Sequence, residues 1–161
     1  MPSKEILRKK FSLIRKKKYF EVKQNFFSPI LRIIKTNNLR NIACYYPSNY
    51  ELSTLKLFTL LNGNKRISIL LPCISDGSMK FVKWNLQEPL KVNNFGFLEP
   101  IQISKTIKPD LIITPLLAFD KSKNRLGYGK GYYDKFLKKN IKTITIGIAF
   151  SFQKYNKIKT S

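Results

Sequence analysis

Residues 127–134 contain a set of glycines with one cation and one carboxylate close to them. Three glycines, at positions 127, 129 and 131, follow an apolar run, with Lys130 between the last two and Asp134 shortly after them. Glycine lets bare backbone N–H groups approach a ligand closely. A lysine adds a mobile positive charge, and a carboxylate can hold a Mg²⁺ ion that also binds phosphate oxygens. The combination predicts a site for a phosphorylated ligand.

A second interpretation of the same loop stays open at this point. Its spacing matches neither the P-loop pattern nor the dinucleotide-binding fingerprint, and three alternating glycines alone are weak evidence. The glycines are equally typical of a tight turn that needs unusual backbone angles, with Tyr132 and Tyr133 packed into a core.

The surrounding elements alternate between strands and helices. Residues 111–119 are apolar almost throughout, as expected for a strand buried on both faces. We predict further strands at 41–46, 66–71, 79–84 and 143–150, helices at 4–27, 28–38, 51–62 and 131–139, and a long loop at 85–108. This order predicts an α/β fold with a mostly parallel sheet covered by helices. Ligands then bind beyond the carboxyl ends of the strands, where the glycine loop lies.

Length and composition narrow the function classes. A chain of 161 residues with 43% hydrophobic residues fits one folded domain, 1–161, in which 151–161 is a polar, basic tail. The absence of histidine excludes His-based triads and most zinc sites. Cys44 and Cys73 lie in apolar runs and are predicted to be buried free thiols in a reducing compartment.

Membrane and targeting signals are weak in this sequence. No apolar run approaches the roughly 18 residues that span a bilayer, so we expect no membrane partner. The charged beginning of the chain does not resemble a secretory signal, although the basic, amphipathic residues 4–18 leave a mitochondrial presequence as the weaker alternative. We therefore expect a cytoplasmic protein.

The formal charge of +22 is the largest bulk signal in the chain. It predicts attraction for anions in general. Most of the cations are lysines, which lack the planar fork that suits base and phosphate recognition, and residues 15–18 are predicted to be a solvent-exposed basic helix face. We expect no specific nucleic-acid partner, with a sequence-independent nucleic-acid binder as the alternative.

Four signatures together resemble one known family. Ala118-Phe119-Asp120 and the run 124–134 resemble the 5-formyltetrahydrofolate cyclo-ligases, also called 5,10-methenyltetrahydrofolate synthetases. The other signatures occur in the family's order between residues 3 and 150. They are Lys4 with Arg8; 42–46 with Glu51-Leu52-Ser53-Thr54; and 79–84 with Pro89-Leu90 and 95–100.

The resemblance implies a three-layer α/β/α Rossmann-like domain that binds a folate and ATP, and we expect this protein to be a monomer. The implied reaction uses Mg²⁺ and ATP to convert 5-formyltetrahydrofolate into 5,10-methenyltetrahydrofolate, ADP and phosphate. The formyl oxygen is phosphorylated, an amine of the folate attacks the activated carbon, and phosphate leaves. This chemistry depends on positioning and charge neutralisation, so it needs no histidine base.

The resemblance also assigns roles to individual residues. Lys130 and Arg125 would be catalytic, and Asp134 would bind Mg²⁺. The implied nucleotide-binding residues are Lys4, Arg8, Arg125, Leu126, Gly127, Tyr128, Gly129, Lys130, Gly131, Tyr132 and Tyr133. The implied substrate-binding residues are Tyr46, Glu51, Trp84, Tyr128, Gly129, Lys130, Gly131 and Tyr132.

Several of these roles have structural alternatives. Glu51 is also suited to cap its helix, Asp134 to complement a helix dipole, and Trp84 to pack in a core. Members of the family usually continue through a further strand and a His-Asp segment, which carries a second magnesium-associated Asp. We therefore expect a shortened C-terminal edge of the sheet, and a catalytically weak or silent relative remains an alternative function.

Overall fold

Nine strands and four helices are present in the computed structural model of the chain, which describes residues 2–101 and 105–159. The strands are β1 Asn41–Ala43, β2 Ser68–Ser75, β3 Ser78–Lys83, β4 Leu90–Val92, β5 Leu98–Pro100, β6 Leu111–Thr114, β7 Ala118–Phe119, β8 Arg125–Leu126 and β9 Ile144–Gly147. The helices are α1 Lys4–Lys18, α2 Ser28–Thr36, α3 Leu55–Asn62 and α4 Tyr132–Lys139, with 3₁₀ turns at Gln24–Phe27 and Ser151–Gln153.

Five of the strands form the central sheet, in the order β3-β2-β1-β6-β9. The pairs β1–β2, β1–β6 and β6–β9 are parallel, whereas β3 returns antiparallel to β2 through a tight turn at Asp76-Gly77. The strands that follow β1 in sequence, β2 and β3, are therefore added on one side of it. The later strands β6 and β9 are added on the other side. The point between β1 and β6, where this order reverses, is where open α/β sheets form a ligand crevice at the strands' carboxyl ends.

Alternate residues of the central strands face two different helical layers. Ile42 of β1 and Leu111 of β6 belong to a buried cluster that includes side chains of α2 and α3. Ala43 and Ile112 point the other way, into a cluster on which α4 packs. Because strand side chains alternate between faces, each strand contributes to both layers. The predicted α/β fold with a mostly parallel sheet between helices is confirmed.

Helix α1 ends earlier than the sequence suggested. The predicted helix 4–27 is wrong beyond Lys18, because Tyr19 takes an extended conformation with ψ of 139°. Tyr19 and Phe20 instead pack their rings on Phe150, with centroid separations of 5.9 and 4.8 Å. These aromatic contacts favour an extended chain here over further helical turns.

Two other boundaries differ for local reasons. The predicted strand 111–119 is split into β6 and β7, and Pro115 between them has no N–H to donate to a ladder. The predicted helix 51–62 begins only at Leu55, because Asn49 and Tyr50 adopt positive φ and the Thr54 hydroxyl donates to the Tyr45 carbonyl. The predicted long loop 85–108 contains the hairpin β4–β5.

The segment predicted as a polar tail is packed where the structure describes it. Gln153 is buried and its amide donates to the carbonyls of Leu116 and Leu117, at 2.9 and 3.0 Å. The backbone N–H of Ile158 donates to Asp120 at 2.8 Å. These contacts hold the segment against the residues that follow β6.

Cys44 and Cys73 are buried free thiols, as predicted. In the described parts of the chain, no helix is long and apolar enough to cross a membrane.

Candidate functional site

A cavity of about 400 Å³ lies beyond the carboxyl ends of β1 and β6, at the reversal of strand order. Its walls come from the start of α1, the turn after β1, the tip of the β4–β5 hairpin, and the glycine loop with the beginning of α4. All of the predicted nucleotide-binding residues line it, as do Tyr46, Glu51 and Asp134. The fold thus brings together groups that are more than 100 residues apart in the sequence.

The glycine loop presents its backbone to this cavity. Gly129 and Gly131 both have positive φ, of 98° and 72°, a conformation that residues with a Cβ rarely adopt. A Cβ on Gly129 would also lie 3.1 Å from Cζ of Arg8. Gly131 immediately precedes α4, so the N-terminal end of that helix faces the cavity. The loop therefore has the geometry of an anion-binding turn.

Positive charge dominates the cavity lining. Lys4, Arg8, Arg125 and Lys130 contribute four cations, against the carboxylates of Glu51 and Asp134. Lys130 Nζ lies 5.6 Å from the ring centroid of Phe95, a side chain of the hairpin tip. This excess of cations gives the cavity an attraction for a polyanion such as a triphosphate.

Helix α1 supplies two of these cations because of how it is held. Ser3 caps the helix by accepting from the N–H of Ile6 at 3.3 Å, and Leu7 and Phe11 pack against Leu117 and neighbouring residues after β6. Residues four apart share a helix face. Lys4 and Arg8 are therefore presented on the same side, toward the cavity.

Asp134 and Arg125 form an ion pair of 2.5 Å at the mouth of the cavity. The Asp134 side chain is 66% exposed and lies in the first turn of α4. Over residues 2–101 and 105–159, no group of three or more acidic, His or Cys side chains is arranged to hold a metal ion. A magnesium ion here would need oxygen ligands from a bound phosphate in addition to Asp134. This arrangement suits Mg²⁺, which commonly takes one or two carboxylates with phosphate oxygens and water.

Glu51 is presented by a strained turn at the other side of the cavity. Asn49 and Tyr50, just before it, have φ of 48° and 60°, an uncommon conformation for residues other than glycine. The Glu51 side chain is buried and accepts from the N–H of Ser48 at 2.8 Å and from the Tyr128 hydroxyl at 2.6 Å. Burial raises the pKa of Glu51 above its usual value, while these donors and the charge of Arg15 oppose that rise.

Tyrosine hydroxyls near Glu51 stay protonated. Burial, followed by the nearby Glu51 charge, raises the pKa of Tyr45, Tyr128 and Tyr133 well above the usual range. The ring of Tyr128 is partly exposed to the cavity, but its hydroxyl lies between Glu51 and Arg15. A neutral hydroxyl can donate to a carboxylate, so this side of the cavity combines one acid with neutral donors.

Trp84 is not brought into the cavity. It is buried in the core against Phe58, with ring centroids 5.2 Å apart, and its N–H donates to the carbonyl of Glu88 at 3.0 Å. Tyr46 does line the cavity, and its ring meets the edge of Trp84 at 6.0 Å. Trp84 therefore packs against Tyr46 on the side that faces away from the cavity.

Sequence reasoning missed Arg15. The prediction that residues 15–18 form a solvent-exposed face is wrong for this residue, which is 1% exposed. Its guanidinium donates to the Tyr128 hydroxyl at 2.6 Å and to the Asn49 carbonyl at 2.5 Å. The available signal was spacing, because Arg15 follows Leu7 and Phe11 at intervals of four residues on the buried stripe of α1.

Comparisons with known proteins agree with this architecture. Residues 3–160 match the sequence model of the 5-formyltetrahydrofolate cyclo-ligase family. A 5-formyltetrahydrofolate cyclo-ligase of Haemophilus influenzae is 32% identical over 149 residues, which are 87% of this chain and 79% of that protein.

Two solved structures are similar to the whole described fold. The 5,10-methenyltetrahydrofolate synthetase of Aquifex aeolicus has a TM-score of 0.74 and 27% identity, over 98% of this chain and 83% of that one. The synthetase of Mycoplasma pneumoniae has a TM-score of 0.72 and 26% identity, over 99% of this chain and 92% of that one. Family match, relatives and fold agree, and the chain belongs to the 5-formyltetrahydrofolate cyclo-ligase family.

Proposed function

We propose that this protein uses ATP to convert 5-formyltetrahydrofolate into 5,10-methenyltetrahydrofolate, with release of ADP and phosphate. Family membership supports this activity. The observation that carries the proposal is the shared cavity. The glycine loop, four cations from the loop and α1, and a second wall built on Tyr46 and Glu51 all face the same space. A nucleotide and a folate held there would be neighbours.

The nucleotide end of the cavity is formed by the glycine loop. Backbone N–H groups of residues 127–131 and the N-terminal end of α4 would bind phosphate oxygens. Lys4 and Arg8 add charge from α1, and Lys130 and Arg125 add it from the loop. Phosphoryl transfer depends on positioning and on neutralising the charge of the transferred group, so Lys130 and Arg125 are the proposed catalytic side chains. Leu126, Tyr132 and Tyr133 shape the same wall.

The folate end is formed by the residues after β1. Tyr46 offers an aromatic face to the cavity, and Glu51 and Tyr128 offer polar groups. A carboxylate accepts hydrogen bonds from the N–H groups of a pterin ring. We propose these three as direct folate contacts, with Trp84 acting on the folate only through Tyr46.

The proposed reaction proceeds through a phosphorylated formyl group. The formyl oxygen attacks the terminal phosphorus of ATP, and the bond from that phosphorus to ADP breaks. The second folate amine then attacks the formyl carbon and loses its proton, and phosphate departs with the former formyl oxygen. The protein's contribution is to hold both substrates in line and to exclude water from the activated carbon.

Asp134 is the proposed magnesium ligand. Its carboxylate lies beside the loop, and the triphosphate and water would supply the remaining oxygens. When bound, Mg²⁺ neutralises phosphate charge and so assists transfer. Arg125, which pairs with Asp134 in this structure, would remain beside the phosphates.

We also propose that the active protein is a cytoplasmic monomer without a specific nucleic-acid partner. The two cysteines are buried free thiols, as is usual for proteins of a reducing compartment. Light scattering is expected to give the mass of one chain. Binding to a short duplex is expected to disappear between low and physiological salt, because only non-specific charge attraction supports it.

A direct assay tests the activity. The protein is incubated with 5-formyltetrahydrofolate and Mg-ATP, and the near-UV absorbance of the methenyl product is followed together with ADP release. An absorbance rise that requires ATP is expected. Folded protein that binds both substrates but forms no product would instead be a silent relative, and the proposed activity would be rejected.

Variants of two lysines give that assay a matched control. Lys130→Ala is expected to lower kcat by roughly 10²-fold or more, since it removes a charge beside the transferred group. Lys138→Ala removes the same charge from the exposed face of α4 and is expected to retain turnover. Equal turnover in the two variants would refute the role of Lys130.

A further inference from the structure

Arg15 is a buried cation without a direct carboxylate partner. Its side chain is 1% exposed, and none of the ion pairs within residues 2–101 and 105–159 includes it. Its Nε atom has no hydrogen-bond partner there either. Burying a charge without pairing is unfavourable. Packing alone would favour an apolar residue at this position of α1, so the guanidinium needs another explanation.

The guanidinium of Arg15 joins three segments that meet at the cavity. Nη2 donates to the carbonyl of Asn49 at 2.5 Å, in the left-handed turn that presents Glu51. Nη1 donates to the hydroxyl of Tyr128 in the glycine loop at 2.6 Å and lies 3.4 Å from the carbonyl of Leu116 after β6. One side chain of α1 therefore fixes the relative placement of the folate wall and the nucleotide wall.

The hydrogen bonds from Arg15 to Glu51 run in one direction. A guanidinium only donates, so the Tyr128 oxygen must accept from Arg15. The single hydroxyl proton of Tyr128 is then left for Glu51 Oε1, 2.6 Å away. Such a charge-assisted chain polarises its members and strengthens the final bond.

We propose that Arg15 is a positioning residue that orients Glu51 through Tyr128, so that the Glu51 carboxylate can accept hydrogen bonds from the donor edge of the folate ring. The inference rests on the proposed function, because it assigns the substrate whose binding Glu51 serves. Arg15 itself does not line the cavity, so it acts only through the groups that it holds.

The groups around Glu51 agree with this role. Titratable side chains face it from four places: Arg15 on α1, Tyr45 after β1, Tyr128 in the glycine loop and Tyr133 on α4. Three of these are neutral tyrosines, and Arg15 supplies the positive charge. Burial raises the pKa of Glu51, and the Tyr128 hydrogen bond and the Arg15 charge lower it. We therefore expect loss of Arg15 to raise the pKa of Glu51 further.

Three variants of α1 test the inference through kinetics. Arg15→Met removes the charge, and Arg15→Lys keeps the charge but lacks the planar guanidinium. The control Lys16→Met removes a charge from the exposed face of the same helix. Each variant is assayed for kcat/KM with the folate and with ATP between about pH 5 and 9. In Arg15→Met we expect the acid limb of the folate profile to move up by about one pH unit.

The expected results separate positioning from loss of structure. In Arg15→Met the KM for the folate should rise roughly tenfold, while the KM for ATP changes less than about twofold. Arg15→Lys should return the acid limb toward that of the unmodified protein, with the folate KM still raised, and Lys16→Met should match the unmodified protein. A purely structural role would lower the amount of folded protein without moving the pH limb, and that result would overturn the inference.

A measurement without turnover keeps this test separate from that of the proposed function. The Glu51 carboxyl is titrated by ¹³C NMR in protein labelled at glutamate, with Glu51→Gln assigning the signal. Arg15→Met is expected to raise the pKa of Glu51 whether or not the protein turns over a folate. If Arg15→Met does not fold, Tyr128→Phe removes only the linking hydroxyl and should raise that pKa as well. An unchanged titration of Glu51 in the folded variant would overturn the inference.

Discussion

Arg8 Nε donates a hydrogen bond of 2.9 Å to the carbonyl oxygen of Gly127, joining the first helix to the glycine loop across 119 residues of sequence. The same guanidinium lies close to the position that a Cβ of residue 129 would take, 3.1 Å from Cζ. Backbone and cation are therefore packed tightly against each other. The proposed anion-binding surface is therefore formed by α1 and the glycine loop together.

This packing predicts that Gly129→Ala will impair nucleotide binding. A Cβ at position 129 would lie 3.1 Å from Cζ of Arg8 and would also be strained by a φ of 98°. Arg8 must then shift by a few tenths of an ångström, which weakens its hydrogen bond to the Gly127 carbonyl. We expect the KM for ATP to rise by roughly tenfold or more, with a loss of unfolding free energy of about 1–2 kcal/mol from the left-handed backbone.

Gly77→Ala is the control for that variant. Gly77 has a φ of 68°, but among residues 2–101 and 105–159 nothing lies within 4 Å of its missing Cβ. It lies in the β2–β3 turn and does not line the cavity. It should show the same strain, about 1–2 kcal/mol by chemical denaturation, and an unchanged KM for ATP. Equal nucleotide affinity in the two variants would contradict the role given to the Arg8–Gly129 contact.

Asp134→Asn tests the proposed magnesium ligand. The carboxylate is largely exposed and its ion pair with Arg125 contributes little to stability in water, so the thermal midpoint should stay within a few degrees. The Mg²⁺ concentration that gives half-maximal activity should rise several-fold, because a neutral amide is a weaker magnesium ligand. An unchanged magnesium dependence at fixed ATP would show that the metal is held by the nucleotide alone.

Much of the fold could be predicted because it depends on local pattern. The apolar stretch after Asp110 is β6, the run ending at Gly63 is α3, and the glycine loop does lie at the carboxyl edge between β6 and α4. Apolar periodicity and glycine positions are properties of neighbouring residues, so sequence reasoning reaches them. The place of the glycine loop in the fold followed from them, whereas its nucleotide-binding role and those of Lys4 and Arg8 were implied by the family resemblance.

The remainder depends on contacts between distant segments. Arg15 could not be distinguished from its exposed neighbours Lys16 and Lys17 by composition, since its burial depends on Tyr128, 113 residues away. The residue type of Trp84 is compatible with a cavity wall, but its ring packs against Phe58 in the core. In both cases the deciding partner lies on another element. The spacing of Arg15 from Leu7 and Phe11 could indicate that it is buried, but not which residues it contacts.

Tyr46 and Trp84 are expected to differ in their effect on folate binding. Tyr46 lines the cavity, whereas Trp84 lies behind it. Tyr46→Leu should raise the folate KM by roughly tenfold through the loss of aromatic contact. Trp84→Phe should lower the unfolding free energy by about 1–3 kcal/mol, as buried large-to-small changes do, with a folate KM within about threefold of the unmodified value. The reverse ranking of the two KM values would place Trp84 in contact with the folate.

Acid stability provides the last prediction, through Asp120. Its carboxylate accepts from the N–H groups of Ile158, Asn124 and Ser122, and these bonds, that from Ile158 first, lower its pKa below the ordinary 3.8. A carboxyl whose pKa is lower in the folded state stabilises the fold above its unfolded pKa. That contribution is lost as the pH falls through the lower folded value. Stability should therefore decline as the pH falls below about 4, partly because Asp120 becomes protonated.

Asp120→Asn removes this contribution at every pH. Its amide nitrogen cannot accept from Ile158, so the variant should be less stable than the unmodified protein at pH 7, where the carboxylate is fully ionised. The difference in unfolding free energy should shrink as the pH falls below about 4, since protonation also weakens the native carboxyl as an acceptor. Asp76→Asn, at an exposed turn carboxylate, is the matched control. Urea denaturation of the three proteins at pH 7 and pH 3 measures the effect, and a difference that stays constant between these pH values would show that Asp120 is not ionised differently in the two states.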